Sequence, residues 1–267
     1  MLSAAPCLRT VQVTRYVTPL REGGSLPALV EADDGFLYVL KFRGAGQGPK
    51  ALIAELLVGE LARALGLRMP ELVFADLDEA FGRSEADEEI QDLLRASTGR
   101  NLALHYLSRA STFDPLVTTI SPREASLIVW LDALTLNVDR TARNTNLLLW
   151  HRELWLIDHG AALYVHHAGP DWAARPGGER RFPQIKDHVL LPQATELAAA
   201  DAEGHARFTP ALLRAVVALL PAEWLEAADP ATFAQAQRAA YVSFLEARLA
   251  ASATFVAEAD AARAARI

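Results

Sequence analysis

Apolar positions recur mostly with period two in the first third of the chain, and with helical period over much of the second half. LRTVQVTRYV (8–17) alternates like a half-buried strand, and REGGS (21–25) supplies a glycine turn. LPALVEA (26–32) and FLYVLKFRG (36–44) flank Asp33-Asp34-Gly35, a strong hairpin signal. GAGQGPK (44–50) reads as a flexible loop, and ALIAELLVGELARAL (51–65) as a helix stopped by Gly66 and Pro70. PELVFADLDE (70–79) and NLALHYL (101–107), after the Gly99 turn, are further strands. The acids between 76 and 92 predict a solvated loop and helix start rather than a cation site.

From residue 121 the pattern turns helical. In SPREASLIVWLDALTLN, Ser121 is placed to cap, Pro122 to open the helix, and Glu124 to complete a capping box. Two apolar strands follow, TNLLLW and ELWLID, joined by His151, Arg152 and Glu153. An irregular stretch, 165–192, leads to two more helices, 210–227 (Thr209 as cap, Pro210 at the first position) and 231–264. The expected architecture is α+β and bilobal. Residues 1–107 form a small β-rich lobe with one helix and a connector strand, and 108–267 a larger, mainly helical lobe. A cleft between two such lobes is a common place for a ligand.

Bulk properties narrow the function. With 267 residues, 51% of them hydrophobic, the chain can bury a large core. A net charge of −7 offers no footprint for nucleic acid or an anionic membrane. The single cysteine, Cys7, excludes internal disulfides and a cysteine-built zinc site. The N-terminus lacks the pattern of a secretory signal, and no uncharged apolar run reaches the roughly 20 residues that span a bilayer. The expectation is a cytoplasmic protein. His166, His167, His188 and His205 lack a compact ligand spacing and read as solvated loop residues.

The candidate chemistry begins in the hairpin. Antiparallel pairing sets the start of TNLLLW beside the end of ELWLID, on strands about 5 Å apart. Asn144 is thereby brought near Asp158. An amide oxygen and a carboxylate there suit Mg²⁺, which takes oxygen ligands and leaves other positions to substrate phosphates. Asp139 precedes Asn144 by five residues. That is the spacing of a kinase catalytic loop, in which the Asp takes the acceptor hydroxyl's proton and the Asn holds metal. Asp158-His159-Gly160 stands where such enzymes have Asp-Phe-Gly, its glycine easing the turn. Asp132, seven residues before Asp139, is placed to brace the loop.

Upstream, Lys41 is one of only three lysines in an Arg-rich chain. It lies between Leu40 and Phe42, where its desolvation demands an anion. Glu55 shares a helix face with Ala51, Val58, Gly59 and Ala62 and looks inward, whereas Glu60 reads as an exposed pair with Arg63. Lys41 would hold nucleotide phosphates and Glu55 would orient it. Glu22-Gly23-Gly24-Ser25 is positioned to cover phosphates with backbone N–H groups. Gly23, Gly24 and Ser25 therefore join Lys41 and Glu55 as the candidate ATP-binding set. By order alone, NLALHYL is the connector whose backbone meets adenine.

These pieces together resemble the HipA-like kinase family, bacterial relatives of the serine/threonine kinase toxins, and more distantly the phosphoinositide kinases. The matching stretches are EGGS, VLKF, AELLVGELARALGLRMP, WLDALTLNVDRTARNTNLL and LWLIDHG, spanning roughly residues 20 to 160. The resemblance implies a bilobal kinase fold, ATP and Mg²⁺. It assigns phosphate binding to Lys41, its pairing to Glu55, the base to Asp139 and metal ligation to Asn144 and Asp158. It also implies that Arg143, where many relatives have lysine, touches the transferred phosphate. Thr141 departs from the Asp-Arg-His of many relatives. The expectation is a short member with one kinase domain, without the extra N-terminal domain of full-length toxins. Its acceptor would be a hydroxyl, with a protein Ser/Thr as first reading. A small-molecule or lipid-headgroup kinase, or a nucleotide-binding pseudokinase serving as an interaction module, are the alternatives.

Overall fold

The alternating segments of the first third do pair as neighbours. The structure, a computed structural model, describes residues 6–20, 26–84, 87–169, 172, 181–225 and 230–266. Strands β1 (Thr10–Pro19), β2 (Ala28–Ala32) and β3 (Leu37–Lys41) run antiparallel in succession. β4 (Leu72–Leu77) and β5 (Gly99–His105) complete a closed barrel of order β1-β2-β3-β5-β4, sealed by parallel pairing of β4 with β1. Closure removes the exposed edges that an open five-stranded sheet would leave. Alternation in β3 sends Tyr38 and Leu40 into the barrel core and leaves Val39 and Lys41 on the other face.

Helix α1 (Pro49–Ala64) is apolar nearly all round, and residues 52–62 are all buried. A helix of that kind belongs inside a protein. It packs on β5, on α3 (Pro122–Thr135) and on α5 (Pro210–Ala218), so its core is shared with the helical half of the chain. This corrects one expectation. Glu60 does pair with Arg63 at 3.2 Å, but Glu60 is itself buried and Arg63 is the exposed member of the pair.

Between β4 and β5, α2 (Glu88–Ala96) is capped by Asp87, whose carboxylate accepts from the Glu89 and Ile90 N–H groups. The predicted hairpin forms as β7 (Leu147–Trp150) and β8 (Glu153–Leu156), joined by a short strand, β6 (Ser111–Thr112), in the order β6-β7-β8. Glu153 pairs with Trp150, so the connection is two residues rather than three. His151 and Arg152 both take positive φ, 49° and 66°, the turn that matches strand twist.

The helical half departs from expectation in three places. α4 (Leu197–Arg207), alanine-rich with few apolar anchors, had no strong periodic signal; it seats Gly204 directly on the Trp130 ring of α3. α5 stops at Ala218, just before Pro221, and a 3-10 turn at 222–224 follows. The long final helix is two, α6 (Pro230–Ala250) and α7 (Ser252–Ala264), broken at Ala251. No Gly or Pro marks that break. Tertiary packing decides it, since α7 folds back against α3 and α4. Among the described residues, no helix is long and apolar enough to cross a membrane.

Candidate active site

Lys41 ends β3 facing away from the barrel core, and α1 presents Glu55 to it. Lys41 Nζ donates to Glu55 Oε2 at 2.6 Å and to Asp158 Oδ1 at 2.7 Å. Glu55 is fully buried, and its Oε2 also accepts from the His159 N–H at 2.6 Å. Burial works against the Lys41 charge, but the two carboxylates overcome it and hold the ammonium above its ordinary pKa. The Lys41 charge pulls Asp158 below the usual carboxylate range, whereas burial pushes Glu55 up. Asp158 follows β8 with φ of 52°, a left-handed conformation that turns its carboxylate toward Lys41.

The catalytic-loop candidates converge on Asp139. Asn144 Nδ2 donates to Asp139 Oδ2 at 2.8 Å, and Asn146 Nδ2 donates to the same oxygen at 3.2 Å. The Asp139 N–H is held by Asn137 Oδ1 at 3.1 Å. Leu136 and Asn146, which bracket this loop, have φ of 56° and 48°. Left-handed non-glycine residues cost about 1 kcal/mol or more and persist where the surroundings hold them. The loop is therefore set in place, not loosely tethered.

Beneath it lies a buried charged brace. Asp132 and Arg140 are both buried and meet at 2.6 Å through Arg140 Nε. Arg140 also donates to the Asn146 carbonyl, and its Nη2 lies 3.1 Å from His159 Nδ1. His159 Nε2 reaches the Met69 sulfur at 3.1 Å. Burial, with Arg140 beside it, holds the His159 imidazole neutral, with its pKa near 3. Burial acts to raise Asp132, but the Arg140 charge and the His188 hydrogen bond keep it well below the usual carboxylate range. His188 and His166 are buried, which corrects the solvated-loop reading, while His167 and His205 are exposed.

Lys41, Asp158 and the amides that hold Asp139 open onto one cleft of about 1470 Å³, with Asp139 itself set just behind Asn144 and Asn146. Lys41, Asp158, Asn144, Asn146 and Arg143 line it, with His105, Tyr106 and Leu107 along the connector after β5. Arg143 is exposed. Gly23, Gly24 and Ser25 lie outside the described residues. Among the described residues, no group of three or more His, Cys, Asp and Glu side chains could hold a metal. The cleft instead offers hard oxygens, the Asp158 carboxylate and the Asn144 amide oxygen, whose own N–H group is turned to Asp139. Such a set fits a cation that draws its remaining ligands from phosphate and water.

Asn146, Arg140 and His188 were missed as site residues on the sequence. Asn146 carried a faint signal, a second amide two positions after Asn144. An Asp-Arg pair reads equally well as a surface pair, and only the fold buries Arg140. Nothing local marks His188, because its partner lies 56 positions earlier.

No curated protein matches the chain. A Helicobacter pylori proinflammatory kinase, CtkA, has a similar structure, with a TM-score of 0.54 at 13% identity over 96% of this chain and 99% of that one. A Golgi casein kinase solved with Mn/ADP bound aligns at a TM-score of 0.43 and 12% identity, over 91% of this chain and 72% of that one. The first likeness shows a kinase fold, in the small β-rich and larger helical arrangement expected. The family model described as HipA-like kinase matches residues 13–254. That span holds the ion-paired Lys41 and Glu55, the Asp139 loop and Asp158, and the chain belongs to the HipA-like kinase family.

Proposed function

We propose that this kinase transfers the γ-phosphate of ATP, taken with Mg²⁺, to a hydroxyl acceptor, with protein serine or threonine as the acceptor class. The observation that carries the reading is a single lysine, Lys41, bonded at once to Glu55 on α1 and to Asp158 after β8. Glu55 holds the ammonium in the cleft. Entering phosphates exchange with Asp158 on Lys41, leaving that carboxylate, whose side chain is 44% exposed, for a cation. Mg²⁺, when bound by Asp158 and Asn144, supplies positive charge against the phosphate oxygens.

Asp139 acts as the base. Its Oδ2 accepts from the amides of Asn144 and Asn146, which leaves Oδ1 for the proton of the acceptor hydroxyl. The acceptor oxygen bonds to the γ-phosphorus, the bond to the bridging oxygen of ADP breaks, and the proton passes to Asp139. Arg143 at the rim meets the charge of the phosphoryl group in transfer. Gly23, Gly24 and Ser25 cover the phosphates, and the backbone near Tyr106 meets adenine. Residues 1–107 thus serve as the nucleotide-holding lobe and 108–267 as the catalytic lobe, in a cytoplasmic enzyme. The family supports a kinase, the residues support the chemistry, and the acceptor class is what the resemblance to the serine/threonine kinase toxins implies.

The test is incubation of cell extract with γ-labelled ATP, wild type against Asp139→Asn. Labelled protein with wild type alone is the expected result. Label only in lipid or small molecules moves the acceptor class, and equal labelling by both enzymes removes Asp139 from the role of base.

A further inference from the structure

We infer that His188 is a positioning residue, which latches the segment following Asp158 onto the catalytic loop and, through Asp132, sets the backbone of Asp139. The inference rests on the reading of Asp139 as the base. Position 141, where the resemblance expects histidine, holds Thr141, and the fold brings His188 beside it. The two residues form an isolated antiparallel bridge, and the Val189 N–H donates to the Arg140 carbonyl at 3.0 Å. His188 is buried. Its Nδ1 accepts from the Leu190 N–H at 3.0 Å, so Nε2 carries the proton and donates to Asp132 Oδ2 at 2.9 Å.

Asp132 passes that constraint on in two directions. Its Oδ1 accepts from Asn137 Nδ2 at 3.0 Å, and Asn137 Oδ1 accepts from the Asp139 N–H at 3.1 Å. Its Oδ2 also receives Arg140 Nε, whose other nitrogens reach the Asn146 carbonyl and His159. One buried carboxylate therefore ties the base, the amide that holds the base, and the residue next to Asp158. Elsewhere among kinases a phosphate on the segment orders it by pairing with arginine. Residues 159–194 contain no serine or threonine, and their one tyrosine, Tyr164, is partly buried against the core. Asp132 fills that place with a permanent charge, and His188 supplies the tie to the segment.

Removing the donor loosens the Asp132–Asn137 tie to the base, whereas Lys41, Glu55 and Asp158 keep their bonds to one another, so kcat suffers more than nucleotide affinity. The test compares His188→Phe, which fills the space without a donor, with His188→Gln, whose amide can donate to Asp132. ADP release from Mg²⁺–ATP is read with dephosphorylated casein and with water as acceptors, alongside melting curves and binding of a fluorescent ADP analogue. His188→Phe is expected to lower kcat by about 10- to 100-fold, the usual cost of losing a group that orients a reactive one, with little change in KM for ATP. His188→Gln is expected to recover most of that loss. Asn137→Ala, which cuts the relay one step nearer Asp139, is expected to show the same split, and it decides the matter if His188→Phe does not fold. Phosphatase-treated wild type is expected to keep its kcat. Wild-type kcat in His188→Phe or Asn137→Ala overturns the inference, as does an equal fall in the Phe and Gln variants or loss of activity on phosphatase treatment. A wild type that binds nucleotide but releases no ADP overturns the phosphotransfer reading itself, and this inference with it.

Discussion

Lys41→Met isolates the contribution of the ion pair on which the nucleotide site depends. Methionine keeps the length and volume of the lysine stem, so little cavity is opened. What remains is Glu55, fully buried and without its counter-ion, while Asp158, 44% exposed on its side chain, returns to water at little cost. Breaking a buried pair by removing one partner costs about 3–5 kcal/mol. The low end applies here. Glu55 keeps the His159 N–H at 2.6 Å, and it can take up a proton. The expected loss is about 3 kcal/mol at pH 7, or roughly 6–12 °C in Tm for a chain of this size. Its pH dependence has a definite sign. Burial already lifts the folded pKa of Glu55 above its ordinary 4.5, and loss of Lys41 lifts it further. A group with a raised folded pKa binds more protons folded than unfolded, so the variant loses stability as pH rises from about 4.5 through the raised value. The deficit against wild type should therefore shrink at pH 5. Urea melts followed by tryptophan fluorescence at pH 7 and pH 5 measure this, with Lys41→Met/Glu55→Leu expected to regain most of the loss. A deficit under about 1 kcal/mol at pH 7, or one that grows on acidification, would refute the reasoning.

Three further outcomes are expected. Asp158→Ala should abolish the Mg²⁺-dependent part of ATP affinity, read by titration with and without the metal; unchanged Mg²⁺ dependence would remove Asp158 from the metal site. Gly204→Ala brings a methyl group into steric clash with the Trp130 ring and should cost about 1–3 kcal/mol in a urea melt, despite alanine's better helix propensity, with partial recovery in Gly204→Ala/Trp130→Phe. His166 is held neutral by burial, its pKa lowered from 6.5 to about 3. The unfolded chain therefore binds the extra proton between those values, and stability falls as pH drops below 6.5, by up to about 1.4 kcal/mol per unit from this group. His166→Phe should flatten that slope between pH 7 and pH 5, and an unchanged slope would show that other groups carry the acid sensitivity.

Local patterns are legible where one residue type answers one local demand. The Asp-Gly turn, the Ser121 and Thr209 caps and the period-two strands concern neighbours within a few residues, and each forms as read. The inward placing of Glu55 was legible from the small and apolar residues that share its helix face, Ala51, Val58, Gly59 and Ala62. Glu60 was misread because α1 is apolar nearly all round, and helical period alone does not say that both flanks of a helix are covered. The break at Ala251 left no mark, as no special residue is needed where packing chooses the bend.

The candidate site divides along the same line. The sequence by itself determined that a lysine, a glutamate, an Asp-x₄-Asn loop and an Asp-His-Gly turn occur in order, with a hairpin that brings Asn144 and Asp158 to one end. Only the tertiary structure decided that Lys41 takes both carboxylates at once, that Asn146 shares Asp139 with Asn144, and that Arg140 is buried on Asp132. It alone brought His188 across 56 residues to the same carboxylate. Hydrogen-bonded turns and helical faces are set by steps of one to four residues. Buried charges, by contrast, must find partners wherever the chain brings them, because leaving one unpaired in the interior costs several kcal/mol.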